Sequence, residues 1–113
     1  MKSKILALSK NEEFKKLLKK KKASNKYVTI FFGHLNNKDE AKLNISFVTK
    51  KKIGNAVKRN KIKRRLRNIM NEAVNKISIN FNYSFLVIAK SSMLNNEYKL
   101  IKETLFQELD KIK

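Results

Sequence analysis

Ala56-Val57-Lys58-Arg59-Asn60-Lys61-Ile62-Lys63-Arg64-Arg65-Leu66-Arg67-Asn68-Ile69-Met70-Asn71-Glu72-Ala73-Val74-Asn75-Lys76-Ile77 is the stretch on which the fold turns. Ile62, Leu66, Ile69, Met70, Ala73 and Ile77 fall on one face at about 100° per residue, which predicts a helix over residues 56–77. Lys61, Lys63, Arg64, Arg65 and Arg67 lie off that face. Arg59 falls on the apolar stripe, so either the first turn is displaced or Arg59 looks along a sheet edge toward a ligand. Gly54-Asn55 breaks the chain just before the helix. Upstream, Leu43-Asn44-Ile45-Ser46-Phe47 alternates apolar and polar, as a strand with one buried face does. Downstream, residues 81–89 are apolar enough for a central strand. The segment therefore reads as strand, helix, strand.

The same reading extends outward. Tyr27 to Phe32 is β-branched and aromatic, a further strand. Asn36-Asn37-Lys38-Asp39 is a turn, which predicts a hairpin between that strand and Leu43 to Phe47. A first helix opens near Ser9 or Asn11, where Ser9 and Glu12 make a capping-box pattern. Glu12 and Glu13 in its first turn and Lys19 to Lys22 after it suit the helix dipole. Phe14, Leu17 and Leu18 form its apolar stripe. Asn95 or Asn96 caps a last helix that turns Tyr98, Ile101, Leu105, Leu109 and Ile112 inward. The order α-β-β-α-β-α makes an α+β fold, a single-layer mixed sheet packed with helices. At 113 residues, with no Pro, two Gly and no visible linker or repeat, residues 1–113 form one domain.

Charge narrows the function. The chain carries 28 basic and 9 acidic residues, a net charge of +19. A small domain stays soluble with a net charge of roughly 2–8, so a polyanionic partner is expected. Asp and Glu are absent from Ala41 through Asn71, and the chain's arginines are Arg59, Arg64, Arg65 and Arg67. Arg offers a planar fork that suits phosphate and stacks on bases, which Lys does not. Solvated helix faces usually mix both signs. A helix laid along a nucleic-acid backbone explains the acid-free window better. With no Cys, disulfides and thiolate metal sites are excluded. The apolar run at Ile5 to Leu8 is cut short by Lys10, too early for a signal-peptide core. No run approaches the roughly 18 apolar residues of a membrane span.

Other candidates are weaker. Phe14 with Lys15, beside Tyr27, Phe31 and Phe47, could form a stacking platform for single-stranded nucleic acid; the same rings serve equally well as core. His34 reads as a residue of the hairpin loop. Asp39-Glu40-Ala41-Lys42 sits in a turn without a distant partner acid. A two-metal nuclease needs several convergent carboxylates, and Glu72, Glu97, Glu103, Glu108 and Asp110 are scattered over helices. Two glycines cannot build a phosphate-binding Gly-rich loop.

The run Lys51-Lys52-Ile53-Gly54-Asn55-Ala56-Val57-Lys58-Arg59-Asn60-Lys61-Ile62-Lys63-Arg64-Arg65-Leu66-Arg67 resembles the signature of the bacterial ribonuclease P protein subunit. That family has a Lys-Lys-x-Gly-Asn-Ala-Val start, an Arg-Asn-Arg core and an Ile-Lys-Arg continuation. Weaker similarity covers the whole chain, including Asn11 to Phe14 and the Ile88-Ala89-Lys90 step. The resemblance implies a four-element sheet with a left-handed β-α-β crossover, against the usual right-handed rule. It implies a subunit of a ribonucleoprotein endoribonuclease that removes the 5′ leader from precursor tRNA in the cytoplasm. Its partners would be ribonuclease P RNA, one protein per RNA, and precursor tRNA. Catalysis and the Mg²⁺ ions would belong mainly to the RNA, with no catalytic residue on the protein.

Carried over by position, Arg59 and Asn60 match the core. Lys51, Lys52, Gly54, Asn55, Lys63, Arg64 and Arg67 match its flanks, and Arg65 joins them by charge. Phe14, with Lys15 beside it, matches the leader cleft between the first helix and the sheet. Lys61 replaces the core's third residue, Arg. Leu18 and Ile30 stand where other members carry cleft aromatics, Ser46 replaces a strand Gly, and Val48 a Ser. Two other classes compete: a structural RNA binder such as a ribosomal protein, which needs no leader cleft, and a peripheral membrane protein using a basic amphipathic helix. The helix after Ala56 has no interfacial Trp, and its apolar face is needed for the core.

Overall fold

A computed structural model describes residues 5–8, 11–35 and 41–112. In chain order these form β1 (Ile5–Leu6), α1 (Asn11–Leu18), β2 (Lys21–Ser24), β3 (Val28–His34), β4 (Leu43–Val48), α2 (Ala56–Lys76), β5 (Tyr83–Ala89) and α3 (Tyr98–Lys111). Short 3₁₀ turns at Lys51–Ile53 and Ser91–Leu94 precede α2 and α3. The strands make one sheet in the order β1-β4-β5-β3-β2.

The α+β fold and the central place of β5 agree with the sequence. The expected β3–β4 hairpin does not form. β5 lies between those strands, parallel to β4 and antiparallel to β3. The physical reason is burial. β5 is the most apolar strand, with Phe85, Leu86 and Val87 all buried, so it takes the position covered on both faces. The hairpin is instead β2–β3, and its second strand begins at Val28. Asn25 builds its turn: the side-chain oxygen accepts from the Tyr27 and Val28 amides at 2.8 and 3.0 Å. The sheet has five strands rather than four elements, because β1 and β2 extend its two edges. The basic β2 lacked a strand-like composition, and β1 is only two residues long.

The sheet alternates its faces. Val28, Ile30, Leu43, Ile45, Phe85 and Val87 join Ile62, Leu66, Ile69, Met70 and Ala73 of α2 and Ile101, Leu105 and Leu109 of α3 in the main core. On the other face, Leu17 of α1 closes a smaller cluster with Leu8, Leu35 and Leu86, against which Phe14, Phe31, Val48 and Ile88 pack half-buried. Leu18, expected in the α1 stripe, is 47% exposed. The expected cap of α3 also differs: Glu97 occupies the cap position without a side-chain bond, while Asn96 Nδ2 donates to Ser92 O at 2.6 Å. Ser9 and Asn36 to Asp39, expected as a cap and a turn, lie outside the described residues. No helix among the described residues is long and apolar enough to cross a membrane.

Candidate nucleic-acid interface

Asn55 starts α2 as the sequence requires. Its side-chain oxygen accepts from the Lys58 amide at 3.0 Å, satisfying one of the donors that a helix start leaves open. This is local work for a residue also matched to the family's RNA-binding flank. Gly54 before it lies close under the exposed Lys58 side chain: a Cβ there would sit 2.9 Å from Lys58 Cδ, so that side chain would have to shift. Ile53 is buried in the core and pins the 3₁₀ turn, so Lys51 and Lys52 are held exposed on the rim.

With the first turn capped and regular, the position of Arg59 is settled. It faces the protein body rather than being displaced, and it is half-buried. Its Nε is buried and meets no acceptor among the described residues. One turn and two turns on, Lys63 and Arg67 flank the apolar stripe, spaced about 6 Å apart along the axis by the helical rise. Asn60, Lys61 and Arg64 are exposed on the outer face. Arg65 goes the other way. Its Nη1 reaches the Asn96 carbonyl at 3.5 Å, a long contact that ties α2 to the segment before α3. Nearby, burial, and after it the Glu72 carboxylate, raises the Tyr98 hydroxyl above its ordinary pKa. Glu72 is itself engaged by Lys102 at 3.2 Å and Lys76 at 3.9 Å. The motif thus divides into an outer face, a flank toward β4 and a flank toward α3.

The β4 flank opens into a groove of about 630 Å³. It forms because β1 pairs with β4 only at Leu43 and Asn44, leaving Ser46 to Val48 as an open edge. Phe14 of α1, Ser46, Val48 and Thr49 line one side, and Lys63 and Arg67 of α2 the other. The Thr49 hydroxyl is buried without a partner among the described residues. Across the sheet, Val48 registers with Ile88 and Ile88 with Thr29. Ile88 and Thr29 line a second groove of about 540 Å³, walled by Lys50, Lys52 and Lys90. The two grooves are therefore neighbours and together make a cleft with an apolar floor and cations at both ends, the first reaching round the open edge of β4 from α1 to α2.

Several expected site residues change place. Phe14 is in the cleft wall, but Lys15 is exposed on α1 and lines neither groove. Tyr27 is buried in the main core, whereas Phe47 packs half-buried against that core and also lines the first groove. Ile30, matched to a cleft aromatic, is fully buried in that same core, on the opposite face. Phe31, the next residue, points to the α1 side. His34 ends β3 rather than sitting in a hairpin loop, and its Nδ1 bonds the Asn82 carbonyl at 3.2 Å. Asp39 and Glu40 lie outside the described residues. Thr49 and Lys90 were missed. Lys90 has a visible structural task, since its ammonium donates to Asn25 O at 2.6 Å and Ser24 Oγ at 3.0 Å.

The ribonuclease P family model matches residues 3–113. The chain belongs to the ribonuclease P protein family. The ribonuclease P protein component of Carboxydothermus hydrogenoformans is 34% identical over 102 residues, covering 87% of this chain and 83% of that one. That of Mycoplasma mycoides subsp. mycoides is 32% identical over 106 residues, 94% of each chain. The solved Staphylococcus aureus RNase P protein superposes with a TM-score of 0.80 at 27% identity, covering 95% of this chain and 94% of the other. A ribonuclease P protein acts as part of an endoribonuclease holoenzyme with ribonuclease P RNA.

Proposed function

We propose that this chain binds the catalytic RNA of ribonuclease P through the 3₁₀ turn at Lys51–Ile53 and the first half of α2, and holds the 5′ leader of precursor tRNA in the cleft. The observation that carries this reading is the juxtaposition of Phe14 with Lys63 and Arg67 across one groove. A ring facing two phosphate-binding cations is how single strands are gripped without base-specific hydrogen bonds. The unpartnered Thr49 hydroxyl adds a hydrogen-bonding group inside that groove. Arg59, Asn60, Lys61 and Arg64 lie outside the groove lining, and in this reading they take the catalytic RNA.

Among the described residues, no three of His, Asp and Glu converge to hold a metal ion. In this reading the Mg²⁺ is held mainly by the RNA. The protein contributes fixed cations that replace part of the ion atmosphere around folded RNA, which lowers the Mg²⁺ required. It works in the cytoplasm, one protein to one RNA.

The test is cleavage of a precursor tRNA by the source organism's ribonuclease P RNA at low Mg²⁺, with and without this protein. Correct 5′ cleavage only when both are present is the expected result. If that RNA responds to another bacterium's ribonuclease P protein but not to this one, the assignment fails.

A further inference from the structure

The far end of the sheet carries a second basic site, remote from the α2 motif. It is built at the turn between α1 and β2. The Lys19 amide donates to Lys16 O at 3.2 Å and the Lys20 amide to Leu17 O at 2.9 Å, closing the turn tightly. The Lys20 stem then lies across β3 at Gly33. A Cβ on residue 33 would sit 2.8 Å from both Cβ and Cγ of Lys20. Gly33 is thus what lets that stem pack down on the strand. Two grooves, of about 470 and 510 Å³, open beside it, and Lys19, Lys20 and His34 line both.

The larger groove also takes in Lys21 and two half-buried rings, Phe32 and Tyr83, with centroids 5.6 Å apart. His34 hydrogen-bonds the Asn82 carbonyl, which only accepts, so Nδ1 carries the proton and Nε2 remains for a ligand. Among the described residues, none of Lys19, Lys20 and Lys21 stands in an ion pair. Tyr83 opens β5, whereas Ile88 of the cleft lies five residues on, roughly 17 Å away at the strand rise. The site is also displaced toward the β2 edge, away from β4. It shares no lining residue with either groove of the cleft.

We propose that this site binds single-stranded RNA, one base against Tyr83 and the flanking phosphates on Lys19, Lys20 and Lys21. Lysines alone would suit any phosphate backbone. Rings set among them suit an unpaired nucleotide, because a base paired in a helix cannot present its face to a side chain. The strand can come from the leader beyond the cleft or from an unpaired segment of the RNA subunit. The site stands apart from the cleft, so either can fail without the other.

The chain has no Trp, so Tyr83→Trp places a single indole in the groove. Adding a short oligouridylate to the full-length Tyr83→Trp protein should quench its fluorescence. In the Lys19→Gln/Lys20→Gln/Lys21→Gln background the apparent affinity should fall at least about tenfold, as phosphate contacts are lost. In the Lys63→Gln/Arg67→Gln background it should stay unchanged at that indole. In parallel, with wild-type protein, oligouridylate should shield Lys19, Lys20 and Lys21 from acetylation. With holoenzyme components, quenching by the RNA subunit alone assigns the strand to that subunit; quenching only by precursor with a long leader assigns it to the leader. Quenching that survives the lysine changes, equal quenching by duplex RNA, or unshielded lysines in wild type would overturn the proposal.

Discussion

Ser46 Oγ accepts the backbone N–H of Leu8 at 2.9 Å, a buried bond that fastens the segment before α1 to the open part of β4. Ser46 also lines the first groove, so the bond anchors part of the groove wall. Removing it leaves a buried amide without its acceptor. Ser46→Ala is therefore expected to lose about 1–3 kcal/mol of stability, the cost of an unsatisfied buried donor rather than of an average hydrogen bond. Urea denaturation measures it. An unchanged midpoint would mean that water reaches the Leu8 amide.

Ile30 does not take the cleft position that the resemblance implies for it, whereas Phe31, a candidate stacking ring in the sequence, lies on the α1 side. Ile30 has no exposed surface and faces α2 and α3, so an aromatic ring there has nowhere to go. Ile30→Phe should cost about 1–3 kcal/mol through overpacking and should not improve affinity for leader-bearing precursor. Phe31→Leu keeps an apolar side chain in the smaller cluster but removes the ring, so it should weaken precursor binding while mature tRNA binding holds. Thermal melts and binding titrations on both variants separate the two. Stronger leader binding by Ile30→Phe would refute the placement.

Arg59 and Arg65 share a motif but not an environment. Arg59 Nε is buried and unpartnered among the described residues, whereas Arg65 already reaches Asn96. Arg59→Ala should weaken binding to the RNA subunit by about 1–3 kcal/mol, as for a lost charged hydrogen bond. It should also flatten the dependence of log affinity on log salt by about one unit. Arg65→Ala should change that slope less and the unfolding midpoint more. Equal slopes for the two variants would show that Arg65 also grips phosphate.

How much of this was legible in the sequence follows from which interactions are local. α2 was readable because helix periodicity acts within a few residues, and the motif's charges were readable for the same reason. Asn55, read as part of a chain break, is seen as the cap of α2 only in the fold. The sheet order was not, because the burial of β5 between β3 and β4 depends on long-range pairing that no local pattern encodes. β2, Lys21-Lys22-Ala23-Ser24, was hidden because a basic edge strand can pair with its side chains free to stay in water. The face of Ile30 turned on the parity of β3: a shift of one residue sends every side chain to the other face, so a position carried over by resemblance alone can land on the wrong side of the sheet. Lys90 looked like one more basic residue, and only the fold shows its ammonium clamped to the β2–β3 hairpin.

Phe14 remains the sharpest probe of the cleft: of the two rings that share a groove with Lys63 and Arg67, Phe14 and Phe47, it is the one carried by α1 rather than packed against the main core. Stacking of an unpaired base on an aromatic ring is worth roughly 1–3 kcal/mol. Phe14→Ala should therefore weaken binding of precursor tRNA with a leader by that order, and leave mature tRNA, which has no leader to stack, unchanged. Phe14 also packs against the smaller core cluster, so some loss of stability accompanies the change. That loss acts on both substrates alike, which makes the ratio of the two affinities the informative quantity. A leader-dependent drop places the leader on Phe14. An equal drop for precursor and mature tRNA would leave Phe14 as packing alone and move the leader's contact elsewhere on the protein.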